Sequence, residues 1–242
     1  MFYSISHDPQ QINGTITRLQ PAPAADDNGI AAEDWPAYGR TQGGTRYSPL
    51  AQINTANVKQ LKVAWTYRTG DFKTANDSAE TTNELTPIKI GNKLFICTPH
   101  QFLDALDATT GKRLWRFDPE LRSNRTFQHL TCRGVSYYDA TTAHSSETTA
   151  SAICPQKVLL PVNDGRLIAV NAQTGQKCPD FGHNGEINLQ AKMPYAFLGG
   201  YNPTSPPVVT PSTIIIGGSV TDNLSTKEPS GVIRGYDVNK AN

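Results

Sequence analysis

The 242-residue sequence has no hydrophobic run near the roughly 20 residues that a membrane-spanning helix needs, so no such helix is expected in it. It also has almost no net charge, because 22 Lys and Arg oppose 21 Asp and Glu. This balance excludes recruitment of nucleic acid or acidic membranes by bulk electrostatics. The first residues, MFYSISHDPQQ, lack the basic segment and apolar stretch of a signal peptide, so none is predicted.

Cysteine is sparse, and its spacing matches no zinc-binding pattern. The four cysteines are Cys97, Cys132, Cys154 and Cys178, and none belongs to a CxxC pair. Four cysteines allow three pairings, and the spacing selects none of them. We expect Cys97, within LFICT, to be simply buried in a strand. Cys154 and Cys178 lie in polar stretches and are better candidates for a disulfide in an oxidising compartment.

The most informative feature present is a phrase that occurs three times. LDALDATTGKRLW begins at Leu103, RLIAVNAQTGQK begins at Arg166, and VIRGYDVNKAN begins at Val232. Each copy is an apolar strand followed by Asp or Asn, and the first two copies continue into a Thr-Gly turn. A repeated unit that cannot bury its own apolar face is typical of stacked β architectures.

The strand pattern predicts an all-β fold with four strands in each unit, as in a propeller blade. Only one short helix is expected, at 58–61, capped by Asn54 or Thr55. Long insertions at 119–156 and 178–204 are expected to lie on one face and to carry function. The predicted strands are 62–67, 85–90, 93–98, 103–107, 112–117, 157–162, 166–170, 206–210, 213–218 and 231–238.

The two ends of the chain differ from the repeated units. Residues 1–33, with QPAPAADDNG, are polar and are predicted to be a flexible linker before a domain at 34–242. In the third copy Lys240 and Ala241 replace Thr and Gly, and Ala at a positive φ costs on the order of 1 kcal/mol. We therefore expect an incomplete propeller of roughly three blades from a longer protein.

Several long runs resemble the periplasmic domain of the membrane-bound quinoprotein dehydrogenases. This family includes glucose dehydrogenase, which uses pyrroloquinoline quinone (PQQ), and its quinate/shikimate relatives. The resemblance covers almost the whole chain, and the runs that carry it are HDPQQINGT (7–15), DWPAYGRTQGGTRYSPLAQIN (34–54), WTYRTGD (65–71), TNELTPIKIG (82–91), TFQHLTCRGVSY (126–137), LPVNDGRLIAVNAQTG (160–175), PTSPPVV (203–209) and GSVTDNLSTKEPSGVIRGYDVN (218–239).

The resemblance implies the first three blades of a propeller of about eight blades, on the periplasmic face of the bacterial inner membrane. It implies PQQ near the propeller axis with a divalent cation, Mg²⁺ or Ca²⁺, and transfer of electrons to ubiquinone in the membrane. It further implies that the general base and the membrane helices lie outside this chain, so the chain alone is expected to be inactive.

Three residues match positions where the family contacts the cofactor. Arg68 in YRTGD is suited to gripping a carboxylate of PQQ, or else it is a solvated strand end. Glu84 in TNELTP falls beside it in the family, or else it terminates a strand. His129 in TFQHLTCRG matches the histidine near the quinone ring, or else it is a structural residue. Arg133 in the same run is expected to bind either a phosphate-like or carboxylate group or a neighbouring backbone carbonyl, and we favour the carbonyl.

Asp222 and Asn223 in SVTDNLST match the metal ligands of the family. Carboxylate and amide oxygens suit a hard cation such as Mg²⁺ or Ca²⁺, although Asp-Asn also forms ordinary turns.

The resemblance therefore predicts a dehydrogenase that oxidises D-glucose or other aldoses to lactones. A quinate/shikimate dehydrogenase of the same family is the first alternative, and a non-catalytic propeller scaffold is the second.

Overall fold

A computed structural model of the protein describes residues 29–41, 43–77, 80–122, 127–142, 153–221 and 225–241. Within these ranges the structure is all-β, with one turn of 3-10 helix at Val58–Gln60. None of the helical structure in these ranges is long and apolar enough to cross a membrane. The strands are β1 Glu80–Thr81, β2 Ile88–Ile90, β3 Lys93–Cys97, β4 Leu103–Asp107, β5 Arg113–Phe117, β6 His129–Leu130, β7 Ser136–Asp139, β8 Gln156–Val162, β9 Arg166–Asn171, β10 Glu186–Asn188, β11 Tyr201–Asn202, β12 Val208–Val209, β13 Thr213–Ile216, β14 Ser219–Val220 and β15 Arg234–Asp237.

Three antiparallel sheets correspond to the three predicted units. Strands β2, β3, β4 and β5 form the first four-stranded sheet, and β7, β8, β9 and β10 form the second, each in sequence order. The third sheet has the order β12-β13-β15. Strands that follow one another along the chain and across the sheet form the meander of a propeller blade. Two short pairs, β1 with β6 and β11 with β14, lie outside these sheets.

The second sheet is buried on both faces, which explains its nearly continuous apolar strand KVLLPV. Successive side chains on a strand point to opposite faces. Val158 and Leu160 of β8 therefore belong to the core shared with the first sheet, which contains Phe95. Leu159 belongs to the core shared with the third sheet, which contains Ile214. The blades thus pack face to face, as sheets do in sandwiches and propellers.

The repeated turn has the same hydrogen bonds in all three copies. One side-chain oxygen of Asp107 accepts from the backbone N–H groups of Thr109 and Thr110, at 3.0 and 2.7 Å. Asn171 and Asp237 make the matching pairs of bonds two and three residues ahead. Such Asx turns explain why the phrase requires Asp or Asn at this position.

Tryptophan rings pack on the glycines of the first two repeated turns. Trp65 contacts Gly111, and Trp115 contacts Gly175. These glycines have φ of 70° and 73°, and Ala241 takes the same left-handed region at 62°. The predicted strained alanine in the third copy is therefore confirmed.

We expect Gly175→Ala to lower the free energy of unfolding by about 2–4 kcal/mol, because it combines left-handed strain with overpacking. The added Cβ would lie 2.7 Å from the ring of Trp115. Gly91→Ala is the matched control, because Gly91 also has a positive φ but has open space around it. Denaturant unfolding should show a loss of only about 1 kcal/mol for the control. Equal losses in the two variants would contradict the proposed role of Trp115.

The structure corrects some local predictions. No strand is present at 62–67, because this extended segment has no ladder partner among the described residues. The helix is shorter than predicted, and its N-cap residue is Asn57 rather than Asn54 or Thr55. The linker prediction for residues 1–33 falls largely on 1–28, which lie outside the described residues.

The four cysteines form two disulfide bonds. Cys97 is bonded to Cys132, and Cys154 is bonded to Cys178. The prediction for Cys154 and Cys178 is confirmed. Cys97 is buried at the end of β3, as predicted. The prediction that it is simply buried is wrong, because the end of β3 packs against the segment after β6 and brings the two sulfurs together.

Candidate cofactor site

The parallel pair β1 and β6 places two of the predicted cofactor residues on adjacent segments. Glu80 pairs with His129 in this ladder. The pairing continues beyond it, because Thr82 N–H donates to the Leu130 carbonyl at 3.1 Å. Residues 80–86 and 129–133 therefore run side by side outside the three blades, and they carry Glu84 and His129.

Charged groups connect these two segments. Arg133 Nε lies 2.7 Å from Glu84 Oε2, and the Thr82 hydroxyl donates to Glu84 Oε1 at 2.9 Å. His129 Nδ1 lies 3.5 Å from Glu80 Oε2. Arg133 also donates to the Thr204 hydroxyl. The expectation that the Arg133 side chain binds a backbone carbonyl is therefore replaced by its observed carboxylate and hydroxyl partners.

These side chains remain accessible to a ligand. Glu84 and Arg133 have side-chain exposures of 41% and 43%, and that of His129 is 59%. An ion pair this exposed contributes little to stability. The ring of His129 is open to stacking on a flat molecule.

Arg68 lies in an extended segment that is anchored on both of its sides. The Tyr67 hydroxyl donates to Asp104 at 2.9 Å. Arg116 Nη2 donates to the Thr69 carbonyl at 2.8 Å. Burial and the hydrogen bond to Asp104 both raise the pKa of Tyr67. The Arg68 side chain is exposed, and within the described residues no bond joins it to Glu84 or His129.

A buried polar layer supports the backbone beneath His129. Asn163 Nδ2 donates to the His129 carbonyl at 2.7 Å. The Asn163 N–H donates to Gln101 Oε1, and Gln101 Nε2 donates to the Thr131 carbonyl, each at 3.3 Å. Sequence reasoning missed both residues. Asn163 precedes an Asp-Gly turn, which is a weak signal, whereas nothing in the sequence distinguishes Gln101.

A cavity of about 370 Å³ adjoins Arg133, between Thr204–Pro206 and Gly217–Ser219. Strand β14 forms part of this region and ends at Val220, after which Thr221 donates its hydroxyl to the Gly199 carbonyl at 2.7 Å. The predicted metal ligands Asp222 and Asn223 lie outside the described residues. Across the rest of the described chain, no cluster of His, Cys, Asp and Glu side chains could hold a metal ion.

The polar groups on residues 80–86 and 129–133 suit a planar polycarboxylate such as PQQ. Arg133 supplies a cationic donor and His129 an exposed aromatic ring on these adjoining segments. Arg68 supplies a second exposed cationic donor on a separate segment. The Thr131 hydroxyl and the Asn163 and Asn202 side-chain oxygens are buried without a hydrogen-bond partner. Such atoms are costly unless a ligand or water meets them, and others of the same kind lie elsewhere in the described residues, as at Trp115 and Tyr236.

Three sheets packed face to face through shared cores define this chain as blades of a β-propeller. The family model described as "PQQ: Glucose/ethanol/alcohol dehydrogenase, beta-propeller domain" matches residues 35–241. The chain therefore belongs to this family of PQQ dehydrogenase propellers.

Curated relatives are similar over nearly the whole chain. Quinoprotein glucose dehydrogenase A of Acinetobacter calcoaceticus is 65% identical, over 99% of this chain and 31% of its own length. Quinoprotein glucose dehydrogenase of Escherichia coli (strain K12) is 56% identical, over 96% of this chain and 29% of its own length. Quinate/shikimate dehydrogenase (quinone) of Acinetobacter baylyi is 38% identical, over 97% of this chain and 29% of its own length. The chain thus spans about 30% of the length of these relatives.

Solved structures show the same architecture. The chain is similar to a quinohemoprotein alcohol dehydrogenase from Pseudomonas putida HK5, with a TM-score of 0.65 and 26% identity. That match covers 87% of this chain and 26% of the other. A quinohemoprotein alcohol dehydrogenase from Comamonas testosteroni matches with a TM-score of 0.62 and 27% identity. That match covers 86% of this chain and 26% of the other.

Proposed function

We propose that this chain is part of a PQQ-dependent dehydrogenase that oxidises D-glucose and other aldoses to lactones and passes electrons to ubiquinone. We choose this substrate class because the chain is more identical in sequence to a glucose dehydrogenase than to a quinate/shikimate dehydrogenase. A quinoprotein glucose dehydrogenase is 65% identical, whereas a quinate/shikimate dehydrogenase is 38% identical over similar coverage. We place the enzyme at the periplasmic face of the bacterial inner membrane.

In this proposal Arg68, Glu84 and His129 bind the cofactor. Arg68 holds a PQQ carboxylate through two parallel N–H donors. Glu84 accepts from Arg133, so these two side chains lie together beside His129. His129 stacks on the ring system and is steadied by the bond from Asn163 to its carbonyl. The bound cofactor supplies the two-electron acceptor chemistry.

Asp222 and Asn223 hold Mg²⁺ or Ca²⁺ in the same proposal. Both offer oxygen donors, which these cations require. They directly follow Thr221, whose hydroxyl is bonded to the Gly199 carbonyl. We assign the general base to a part of the enzyme outside this chain.

Two experiments on the full-length enzyme test the proposal. A substrate panel should give turnover with D-glucose, and turnover of quinate without glucose would favour the quinate/shikimate alternative. Equilibrium dialysis with PQQ and Mg²⁺ should show binding of both. A protein that binds neither would be better described as a propeller scaffold.

We expect His129→Ala to weaken PQQ binding by about 1–2 kcal/mol, because the stacked ring is lost. The measurement is the dissociation constant during reconstitution of the apoenzyme. His183→Ala is the matched control, since His183 is an exposed histidine in the turn before β10. An unchanged dissociation constant for His129→Ala would remove this residue from the site.

A further inference from the structure

We propose that His100 is a positioning residue whose imidazolium form clamps the segment 68–77 and thereby holds Arg68 ready to bind PQQ. This inference rests on the proposed function. His100 belongs to the β3–β4 loop and lies outside the set of predicted cofactor residues.

Both ring nitrogens of His100 face carboxylates on the segment 68–77. Nδ1 bonds to Asp71 Oδ1, and Nε2 lies 3.1 Å from Asp77 Oδ1. The backbone N–H of His100 donates to Asp71 Oδ2 at 2.9 Å. Ionised carboxylates only accept hydrogen bonds, so both ring nitrogens must carry protons to satisfy both contacts. Only the imidazolium form can do this.

The clamp is shielded from water. Asp71 has 3% side-chain exposure, Asp77 has 13% and His100 has 19%. Burial by itself lowers the pKa of His100, but hydrogen bonds and charge from Asp77 and Asp71 outweigh it, so that the pKa is raised above its ordinary value. Burial raises the pKa of Asp77, but bonds from Thr74 and His100 lower it overall.

The charged partners of the His100 ring are two carboxylates. Within the described residues, Asp71 and Asp77 are the ionised groups that form ion pairs with it. Lys73, on the same segment, is exposed. Arg116 of β5 forms an ion pair with Asp104, in which Nε lies 2.6 Å from Oδ1. The nearest charges therefore favour the protonated ring.

The clamp completes a set of anchors around Arg68. Tyr67 is tied to Asp104, and Thr69 is tied to Arg116. These bonds hold the backbone on each side of Arg68, and His100 holds the turn that follows. Without the clamp, the chain after Thr69 would lose the bonds from His100 that join it to the first blade among the described residues. Loss of the clamp would leave the Thr69 bond as the remaining anchor on this side of Arg68. Since a binding group must be preorganised to be effective, a less restrained Arg68 would bind a carboxylate less tightly.

The same β3–β4 loop also supports the other half of the candidate site. Cys97, at its start, is bonded to Cys132 beside Arg133. Gln101, next to His100, donates to the Thr131 carbonyl. One loop therefore connects the segment of Arg68 with the segment of His129 and Arg133.

The direction of the pH effect follows from the raised pKa of His100. The clamp is fully formed below the ordinary histidine pKa and is lost as the pH rises through the raised value. PQQ affinity in the wild-type enzyme should therefore fall on the alkaline side. Asp77→Asn removes one charge that favours the imidazolium, so it should move this fall to lower pH.

The test measures the PQQ dissociation constant of the full-length apoenzyme by fluorescence quenching, from ~pH 6 to ~pH 9. His100→Gln should weaken PQQ binding about tenfold at ~pH 6 and should flatten the fall in affinity at alkaline pH. A tenfold loss is at the lower end of the effect of changing residues that orient metal ligands. Hydrogen exchange of residues 69–77 in the apoenzyme should accelerate in the same variant. His183→Gln, which alters an exposed histidine elsewhere, should keep the wild-type profile.

A wild-type profile in both His100→Gln and Asp77→Asn would overturn the inference. If His100→Gln fails to fold, Asp77→Asn decides the matter alone. A shift to lower pH in the midpoint of the fall in PQQ affinity supports the clamp, and an unshifted midpoint overturns it. A wild-type enzyme that binds no PQQ at any pH would instead contradict the proposed function, while the hydrogen-exchange result would still test the clamp.

Discussion

Arg166→Met is expected to lower the free energy of unfolding by about 3–5 kcal/mol, because it leaves a buried carboxylate without its partner. Arg166 Nη2 lies 2.6 Å from Asp164 Oδ2, and their side chains are 8% and 0% exposed. The same guanidinium donates to the Pro119 carbonyl at 2.8 Å, which attaches the second blade to the chain leaving the first. Chemical denaturation of the two proteins gives the difference directly.

Lys177→Met is the matched control for this prediction. Lys177 Nζ lies 2.8 Å from Glu186, a carboxylate that Arg166 also contacts, but its side chain is 39% exposed. An exposed ion pair contributes about 0–1 kcal/mol. Losses of similar size in the two variants would show that burial of Asp164 does not set the energy of the Arg166 pair.

Removal of the Cys97–Cys132 disulfide, by changing both residues to Ala, is expected to cost about 3–4 kcal/mol. The bond closes a loop between residues 35 apart, and its loss increases the conformational entropy of the unfolded chain. PQQ binding should weaken as well, because Cys132 precedes Arg133. Thermal or denaturant unfolding measures the first effect, and PQQ titration measures the second.

The second disulfide provides the control. Cys154 and Cys178 are 24 residues apart, so changing both to Ala should destabilise the protein by a similar amount. These residues belong to the core between the second and third blades, together with Phe181. PQQ affinity should therefore be retained in this variant. Equal loss of affinity in both double variants would mean that stability alone governs cofactor binding.

Much of the architecture could be predicted from the sequence because the blade is a local unit. The Asx turn at Asp107 needs only residues two and three positions ahead, and the antiparallel strands around it are neighbours in the chain. Local hydrogen bonding and alternation of apolar residues are both visible in the sequence. The resemblance to the family then supplied Arg68, Glu84 and His129 as cofactor residues, and these assignments remain predictions.

Contacts between distant segments could not be predicted in the same way. The carboxylate partner of Arg133 is Glu84, which lies far away in sequence and is brought near by the parallel pairing of β1 with β6. The polar support from Gln101 and Asn163 depends on loops of two different blades. The strand predicted at 62–67 had the right composition, yet no neighbouring strand pairs with it among the described residues.

The sequence by itself determined the repeat, the turn chemistry and the blade class, because these follow from interactions over a few residues. The tertiary structure alone decided that Cys97 pairs with Cys132 and that His100 lies between Asp71 and Asp77. It also decided that Asn163 lies beneath His129. These contacts join segments separated by many residues, and their geometry is set by how the sheets stack rather than by any local pattern.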